Sequence, residues 1–391
     1  MAELSSRESR ERHFYSPTPK RILALDGGGV RGVISLAFLE RIELLLRERT
    51  ANPQFLLSDY FDLIGGASTG AIIASGLALG FPAARLIELY LTLSKQGFSR
   101  KRWMGGMLVP KFRAQMLGEA IRSQFGKETL GSDRIRCGLA ILAKRLDSGS
   151  VWVFHNHPRG PYFAPDDAAK TGTPNRDLRL ADLLRASTAA PTYFEPEFIE
   201  VARGVRGAFV DGGVSPHNNP ALMLMMTATL EGYGFRWPVG ADRLMLVSVG
   251  TGSPALAHKS EALSQMPAAW MAVQALQSMM QDCNWLVQAL LQWMSQSPTP
   301  WPIDTEMGDL SRDNLFLGNP LLHYLRYDAV LWAEWLESRL GLKLDPAELT
   351  EITALDRPDL AARLLEIGRI AAAVQVTPDH FPQPFDPPVL E

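Results

Sequence analysis

Cysteine is nearly absent from this sequence. Cys137 and Cys283 are the only two among 391 residues, and they lie far apart. Neither belongs to a Cys-x-x-Cys pair or to a cluster with histidine, so the sequence carries no motif for a metal site or a redox centre. Isolated thiols are typical of a reducing compartment, and we expect both to be free and buried.

The sequence also lacks an excess of charge of either sign. It has 39 Lys and Arg against 42 Asp and Glu, a net charge of -3. This near balance argues against a nucleic acid polymer as an obligatory partner. With 46% hydrophobic and 21% charged residues the sequence is that of a globular protein, and its length suits one large α/β domain with additions or two domains.

Neither a secretory signal nor a convincing membrane span is found. Residues 1–14 are polar and charged, so we expect a mobile N-terminal tail over residues 1–19 and a cytoplasmic location. The stretch from Leu63 to Ala84 has no charge and is long enough to cross a bilayer. Its glycines, hydroxyl side chains and Pro82 would be costly in lipid, however, so we interpret it as a buried strand, turn and helix.

A serine between two glycines is the first motif with chemical content. Gly66-Ala67-Ser68-Thr69-Gly70 follows a short apolar run and leads into another, which is the nucleophile-elbow pattern G-x-S-x-G. Glycines are needed there because side chains would collide in so sharp a turn. The turn would expose the hydroxyl at a helix N-terminus, although the same pattern also suits a small-residue turn that packs a helix on a sheet.

A glycine cluster follows an earlier apolar run. Residues 21–26 are followed by three glycines, and apolar side chains then recur at helical spacing up to Thr50. The pattern predicts a strand, a glycine loop and a helix. Gly27, Gly29 and Gly32 also satisfy the dinucleotide fingerprint G-x-G-x-x-G, so a nucleotide-binding module is an alternative. Such a site needs an acidic residue at the end of the second strand, which here ends at the serine turn instead.

A third motif lies further along the chain. Residues 197–202 and 207–210 predict a hairpin whose second strand ends in Asp211-Gly212-Gly213, so that a carboxylate at the strand end can reach the serine. Taken in order, Asp26-Gly27-Gly28-Gly29-Val30-Arg31-Gly32, the serine elbow and Asp211-Gly212-Gly213 resemble the three motifs of the patatin-like phospholipase family. The resemblance covers roughly residues 20 to 255.

The resemblance implies both a fold and a site. The fold is α/β, a three-layer patatin-like sheet flanked by helices over residues 20–255, with a helical C-terminal extension over 256–391 packed on the same domain. The catalytic pair is Ser68 as nucleophile and Asp211 as base, and no metal or cofactor is implied. The implied oxyanion donors are Gly27, Gly28, Gly29 and Val30, and the supporting motif residues are Asp26, Arg31, Gly32, Gly66, Gly70, Gly212 and Gly213.

A Ser-His-Asp triad is the alternative mechanism. His217 follows Asp211 closely, and further histidines stand at 155, 157, 258 and 323. Aspartate at position 26 favours the dyad, because α/β hydrolases with a triad carry His-Gly-Gly-Gly in that loop. We therefore interpret His217 as a turn residue. As a direct base, Asp211 would need a pKa raised by burial.

The resemblance implies a calcium-independent acyl hydrolase of membrane phospholipids, with a phospholipid surface as its partner. Lys95 to Trp103 mixes basic and aromatic residues, which suits an anionic lipid surface or a solvated loop. Met266 to Met294 keeps a seven-residue apolar repeat and predicts a long helix for core packing, a lipid entrance or a homo-oligomer seam.

A helical addition on a patatin core also resembles bacterial antiphage effectors activated by cyclic nucleotides. A cyclic nucleotide activator is thus a further hypothesis, and a non-catalytic lipid-binding protein is the remaining alternative.

Overall fold

The computed structural model describes residues 5–98, 118–164, 173–191, 194–254, 268–313, 315–316, 318–354 and 357–387. The described strands are β1 (Lys20–Leu25), β2 (Leu63–Ala67), β3 (Gly138–Arg145), β4 (Val151–His155), β5 (Glu197–Ala202), β6 (Val205–Asp211), β7 (Leu244–Val249), β8 (Ser253–Pro254), β9 (His323–Tyr327) and β10 (Val330–Leu331). The described α-helices are α1 (Ser6–Tyr15), α2 (Gly32–Thr50), α3 (Leu57–Tyr60), α4 (Thr69–Ala78), α5 (Ala83–Phe98), α6 (Leu180–Ser187), α7 (Ala221–Thr229), α8 (Ala268–Met294), α9 (Ala333–Leu340), α10 (Pro346–Ile352) and α11 (Ala361–Gln375).

One mixed sheet forms the middle layer of the fold. Its strand order is β5-β6-β3-β2-β1-β7-β9, and β4 also pairs with β3. Strands β3, β2, β1, β7 and β9 are parallel, so their carboxyl ends meet at one edge of the sheet. Strand β6 is antiparallel to β3 and pairs Asp211 with Ala143. The ends of β1, β2 and β6 therefore lie at the same edge.

Two hydrophobic cores lie on the two faces of this sheet. Alternate β1 side chains point to opposite faces, so Leu23 and Leu25 join one core and Ile22 and Ala24 the other. The first core is formed with helices α2, α4, α6 and α11, and the second with α7, α8 and Phe14. All residues of β1, β2 and β7 are buried, as expected for parallel strands covered on both faces. The predicted three-layer α/β fold is confirmed.

The prediction of a mobile tail is wrong for residues 5–19. Ser5 and Glu8 form a capping box at the start of α1. Nδ1 of His13 donates a 2.7 Å hydrogen bond to Oδ1 of Asp62, and Phe14 is buried in the second core. The sequence of α1 is so polar that its hydrophobic pattern gave no sign of this packing, in which four residues of the helix are buried.

The prediction of a purely helical region after residue 255 is incomplete. Strand β9 pairs with β7 along its whole length, so the C-terminal region supplies an edge strand of the central sheet. Helix α11 packs on α2 with Gly368 close to Ala37, where a side chain on the glycine would crowd the contact. The C-terminal region is thus built into the same layers as the motif-bearing strands.

Several local predictions are confirmed. The predicted hairpin over residues 197–210 is present as β5–β6, and α8 runs through most of the predicted long helix. Of the two free thiols, Cys137 is buried as expected, whereas Cys283 is only partly buried. The uncharged stretch after residue 62 forms β2 and α4, and none of the described helices is long and apolar enough to span a bilayer. Most of the stretch Lys95–Trp103 lies outside the described residues.

Candidate active site

Ser68 lies at the turn between β2 and α4. Its backbone has φ 55° and ψ −126°, a conformation that a residue with a side chain adopts only under strain. The neighbouring chain passes so close that a Cβ at Gly66 would collide with the backbone of Gly70, and a Cβ at Gly70 with that of Leu25. These close approaches explain why the elbow needs glycine at both positions. The Ser68 side chain remains partly exposed.

Asp211 is the hydrogen-bond partner of this serine. The hydroxyl of Ser68 donates to Oδ2 of Asp211 at 2.6 Å, and the N–H of Gly213 donates to Oδ1 at 2.7 Å. Asp211 itself is only 6% exposed. Burial raises the pKa of Asp211 to about 6, although the two hydrogen bonds oppose this rise. The carboxylate is thus held against the hydroxyl and is more basic than an exposed aspartate.

Histidine takes no part in this pair within the described residues. No described histidine ring forms a hydrogen bond with Ser68 or Asp211. The backbone N–H of His217 donates to the hydroxyl of Ser215 at 3.1 Å, as in a turn. Burial and the nearby Lys144 lower the pKa of His217. His258 lies outside the described residues.

The first predicted oxyanion donor, Gly27, is already engaged. Its N–H donates to the carbonyl oxygen of Asn218 at 3.0 Å. Its carbonyl accepts hydrogen bonds from Nδ2 of Asn218 at 3.2 Å and from Oγ1 of Thr251 at 3.1 Å. In this conformation Gly27 cannot donate to an oxyanion, so its prediction as a donor is corrected. It is an anchor of the loop.

The N–H of Gly28 is engaged as well, whereas those of Gly29 and Val30 are not. Gly28 donates to Oγ1 of Thr69 in the elbow at 3.2 Å, so its prediction as a free oxyanion donor is corrected as well. Among the described residues, nothing accepts a hydrogen bond from the N–H of Gly29 or of Val30, and both residues are partly exposed. They begin the short 3-10 helix Gly29–Arg31 that leads into α2, and Gly29 has φ 59°, which favours glycine. Two donors at a helix start are therefore free for a negative charge.

The charged residues of the glycine loop bond to C-terminal residues and not to Ser68. Asp26 accepts a 2.7 Å hydrogen bond from Nη2 of Arg326, and burial raises the pKa of Asp26 to about 6 although Arg326 opposes the rise. Nη1 of Arg31 donates to the carbonyl of Thr353 at 3.2 Å, and burial lowers the pKa of Arg31 to about 10. Both side chains tie the loop to C-terminal elements.

Four residues that hold this site were not predicted from the sequence as part of it. Ser187, at the end of α6, accepts from the N–H of Ser68 at 2.9 Å and donates to the carbonyl of Leu142 at 2.6 Å. Asn218, Thr251 and Arg326 hold the glycine loop from three other segments. Asn218 follows the Asp-Gly-Gly turn closely, which was a weak signal, whereas the others carry no motif.

The dyad and its loop offer no cluster of metal ligands in the part of the chain that the structure describes. No group of three or more His, Cys, Asp or Glu side chains is arranged there to hold a metal ion. What the arrangement offers is a hydroxyl, a buried carboxylate and two free N–H groups. These are the parts that acyl transfer through a serine requires.

The structure thus defines the class of the protein, an α/β protein whose mixed sheet carries a serine elbow and a serine–aspartate pair at the carboxyl edge of its parallel strands. The model of the patatin-like phospholipase family matches residues 23–225. The chain belongs to this family.

Three relatives match parts of the chain. A cGAMP-activated phospholipase of Escherichia coli (strain TW11681) is 34% identical over 206 residues, which cover 51% of this chain and 53% of that protein. A cGAMP-activated phospholipase of Vibrio cholerae is 32% identical over 52% of this chain and 56% of that protein. Patatin-07 of Solanum tuberosum is 27% identical over 76% of this chain and 74% of its own length. The chain thus spans about half the length of the first two relatives.

Proposed function

We propose that this protein is a serine acyl hydrolase that cleaves acyl esters of membrane phospholipids. The observation that carries the proposal is the 2.6 Å hydrogen bond from the strained, partly exposed Ser68 to the buried Asp211. Membership of the patatin-like phospholipase family supports the choice of a lipid ester as substrate. The catalytic residues and the substrate class are both part of the proposal.

The reaction proceeds in two steps. Asp211 takes the proton of Ser68 as Oγ attacks the ester carbonyl, and a tetrahedral intermediate forms. The N–H groups of Gly29 and Val30 hold its oxyanion. When the ester C–O bond breaks, the leaving alcohol takes the proton from Asp211, and the acyl group stays on Ser68. Water then attacks the acyl-enzyme while Asp211 accepts its proton, and this proton returns to Ser68 as fatty acid leaves.

The environment of Asp211 supports its role as base. A carboxylate with a pKa of about 6 is deprotonated at neutral pH and still accepts a proton more readily than an exposed aspartate. We also propose that hydrolysis does not need calcium, because proton transfer and oxyanion binding are both assigned to groups of the protein. Activity with a calcium chelator present would support this point.

The proposal extends to where the protein works. Its substrate esters lie in a bilayer, so we propose a cytoplasmic protein that meets the membrane peripherally. On α8, Met279 and Leu286 are 56% and 60% exposed, and such side chains suit a lipid surface or a second copy of the chain. We retain residues 20–255 as the catalytic part, supported by C-terminal elements.

Labelling with a fluorophosphonate tests the function directly. The probe phosphonylates a serine only when the hydroxyl is activated and the oxyanion site is formed. We expect one labelled peptide, containing Ser68, and fatty acid release from phosphatidylcholine vesicles that stops once labelling is complete. Heat-unfolded protein is the control. If folded protein remains unlabelled and releases no fatty acid, both without and with cyclic dinucleotides, a non-catalytic lipid-binding protein replaces the hydrolase.

Regulation by a cyclic nucleotide is the second part of the proposal. It is supported by the two relatives whose names describe cGAMP-activated phospholipases, and these match about half of this chain. We expect cGAMP or another cyclic dinucleotide to increase fatty acid release from vesicles, whereas linear dinucleotides of the same bases should not. Equal activity across a full cyclic dinucleotide series would remove regulation and leave the hydrolase intact.

A further inference from the structure

Arg326 is a buried arginine at the far edge strand of the sheet. It belongs to β9, it is only 1% exposed, and it lies outside the region that matches the family. Burying an arginine is costly unless its charge and its N–H groups find partners. The partners of Arg326 therefore indicate why the protein keeps it.

Those partners lie at the base of the glycine loop. Nη2 of Arg326 donates to Oδ2 of Asp26 at 2.7 Å and to Oδ2 of Asp328 at 2.9 Å, and Nη1 donates to the hydroxyl of Ser248 at 2.8 Å. Asp26 is the residue immediately before Gly27. One guanidinium thus ties the root of the loop to the ends of β7 and β9.

Asp328 extends this connection to the loop by a second route. It accepts hydrogen bonds from the N–H of Gly252 at 2.8 Å and from the hydroxyl of Ser253 at 2.9 Å. The turn held in this way carries Thr251, whose hydroxyl donates to the carbonyl of Gly27. Thr251 also lies so close to Gly28 that any side chain there would collide with it. Both routes from Arg326 end at the segment that precedes the free N–H groups.

We propose that Arg326 is a positioning residue for the oxyanion loop, acting through Asp26 and the Thr251 turn. This inference rests on the proposed acyl hydrolase function. Arginine suits the task because its planar fork of donors can hold Asp26, Asp328 and Ser248 in fixed directions at once. A lysine keeps the charge but has one compact donor centre, and it cannot reproduce that geometry.

Loss of this hold should affect the chemical step more than substrate binding. The loop donors act on charge that develops in the transition state, and a small misplacement of such groups costs about a hundredfold in rate. The ground-state ester makes little use of them, so KM should change little. A fall in kcat at a nearly unchanged KM thus distinguishes a positioning role from a general loss of structure.

The test compares Arg326→Lys and Arg326→Met with a matched control, Arg21→Lys. Arg21 is also a buried arginine of the sheet, 4% exposed and bonded to Asp62 at 3.1 Å, but it lies at the opposite end of β1 from the loop. All variants are assayed as full chains with p-nitrophenyl butyrate, a soluble ester that needs no membrane. The rate of fluorophosphonate labelling and the unfolding temperature are measured alongside.

We expect the Arg326 variants to lose about tenfold to a hundredfold in kcat and in labelling rate, with KM within about twofold. Arg21→Lys should keep kcat within about twofold at a comparable unfolding temperature. Folded Arg326 variants with wild-type kcat would overturn the inference, and so would an equal loss of kcat in Arg21→Lys. A wild-type protein that neither hydrolyses the ester nor reacts with the probe, both without and with cyclic dinucleotides, would instead overturn the proposed function.

A double-mutant cycle tests the route through Asp26. If Arg326 acts through that carboxylate, combining Asp26→Asn with Arg326→Met should lower kcat little beyond the larger single effect, because both changes break one connection. Should the two losses multiply fully, Arg326 does not act through Asp26, and that route is refuted. Arg326→Lys provides the same comparison if Arg326→Met does not fold.

Discussion

Replacing Ser68 with alanine is expected to reduce kcat for phospholipid hydrolysis by about 10⁴-fold to 10⁶-fold. Among the described residues, the hydroxyl of Ser68 is the one that donates to the buried Asp211, at 2.6 Å. Alanine also tolerates the φ of 55° about as well as serine does, so the turn and its glycine contacts should persist. Fatty acid release from vesicles, followed by mass spectrometry, measures the loss, and circular dichroism checks the fold.

A matched control for this change is available on the next helix. Ser75 is a fully buried serine of α4, about two turns beyond Ser68, and its hydroxyl has no hydrogen-bond partner among the described residues. Ser75→Ala should keep kcat within about threefold, because it removes no group from the site. If folded Ser68→Ala keeps more than about a tenth of the wild-type rate, Ser68 is not the nucleophile.

The elbow could be predicted from the sequence because its residue types are fixed by steric contacts within a short segment. Gly66 and Gly70 are needed because backbone segments pass within collision distance, and the same requirement makes the elbow visible as a pattern. Asp211 is distant in sequence, yet the order of the motifs predicted its approach to Ser68. The register of β3 explains how they meet, since Leu142 pairs with Ala67 and Ala143 with Asp211.

The supports of the glycine loop could not be predicted in this way. Strand β9 is buried at every residue, so its sequence lacks the alternation of polar and apolar residues that marks a half-exposed strand. A charged residue such as Arg326 also makes the sequence look unlike that of a buried strand. Its partner Asp26 is 300 positions earlier. Gly27 was expected to be a free donor because neighbouring glycines look alike in a sequence. The two glycines differ because the carbonyl oxygen of Asn218 accepts a hydrogen bond from the N–H of Gly27. This contact joins residues that are distant in sequence, so the sequence pattern does not show it.

Replacing Asp211 with asparagine is expected to lower kcat by about 10²-fold to 10⁴-fold and to remove the acidic limb of the pH profile. In the wild type, the carboxylate is the active form, so kcat/KM should rise with pH up to about 6 and then level off. Asparagine keeps the shape and a carbonyl oxygen for the Ser68 hydroxyl, but it cannot take the proton. The measurement is kcat/KM for a soluble ester between pH 4.5 and pH 8.5, conditions chosen to span about two pH units on either side of the transition.

Asp26 requires a control, because its pKa is also raised to about 6. Asp26→Asn removes that carboxyl, so a limb that stays near pH 6 in this variant is assigned to Asp211. If the limb moves or disappears with Asp26→Asn and persists in Asp211→Asn, the titrating group is Asp26 and the proposed base is wrong.

Stability provides an independent readout of the same group. The folded-state pKa of Asp211 exceeds its ordinary value, so deprotonation favours the unfolded chain, and wild-type stability should fall as pH rises from about 4 through 6. The difference in pKa corresponds to about 3 kcal/mol above pH 6. Asp211→Asn lacks this cost. Its free energy of unfolding in urea should therefore exceed that of the wild type at pH 8 but not at pH 4. A variant that is less stable than the wild type at both pH values would show that the carboxylate is not desolvated in the folded protein. The same burial that makes Asp211 a better base for Ser68 thus lowers the stability of the fold at the pH where the base is deprotonated.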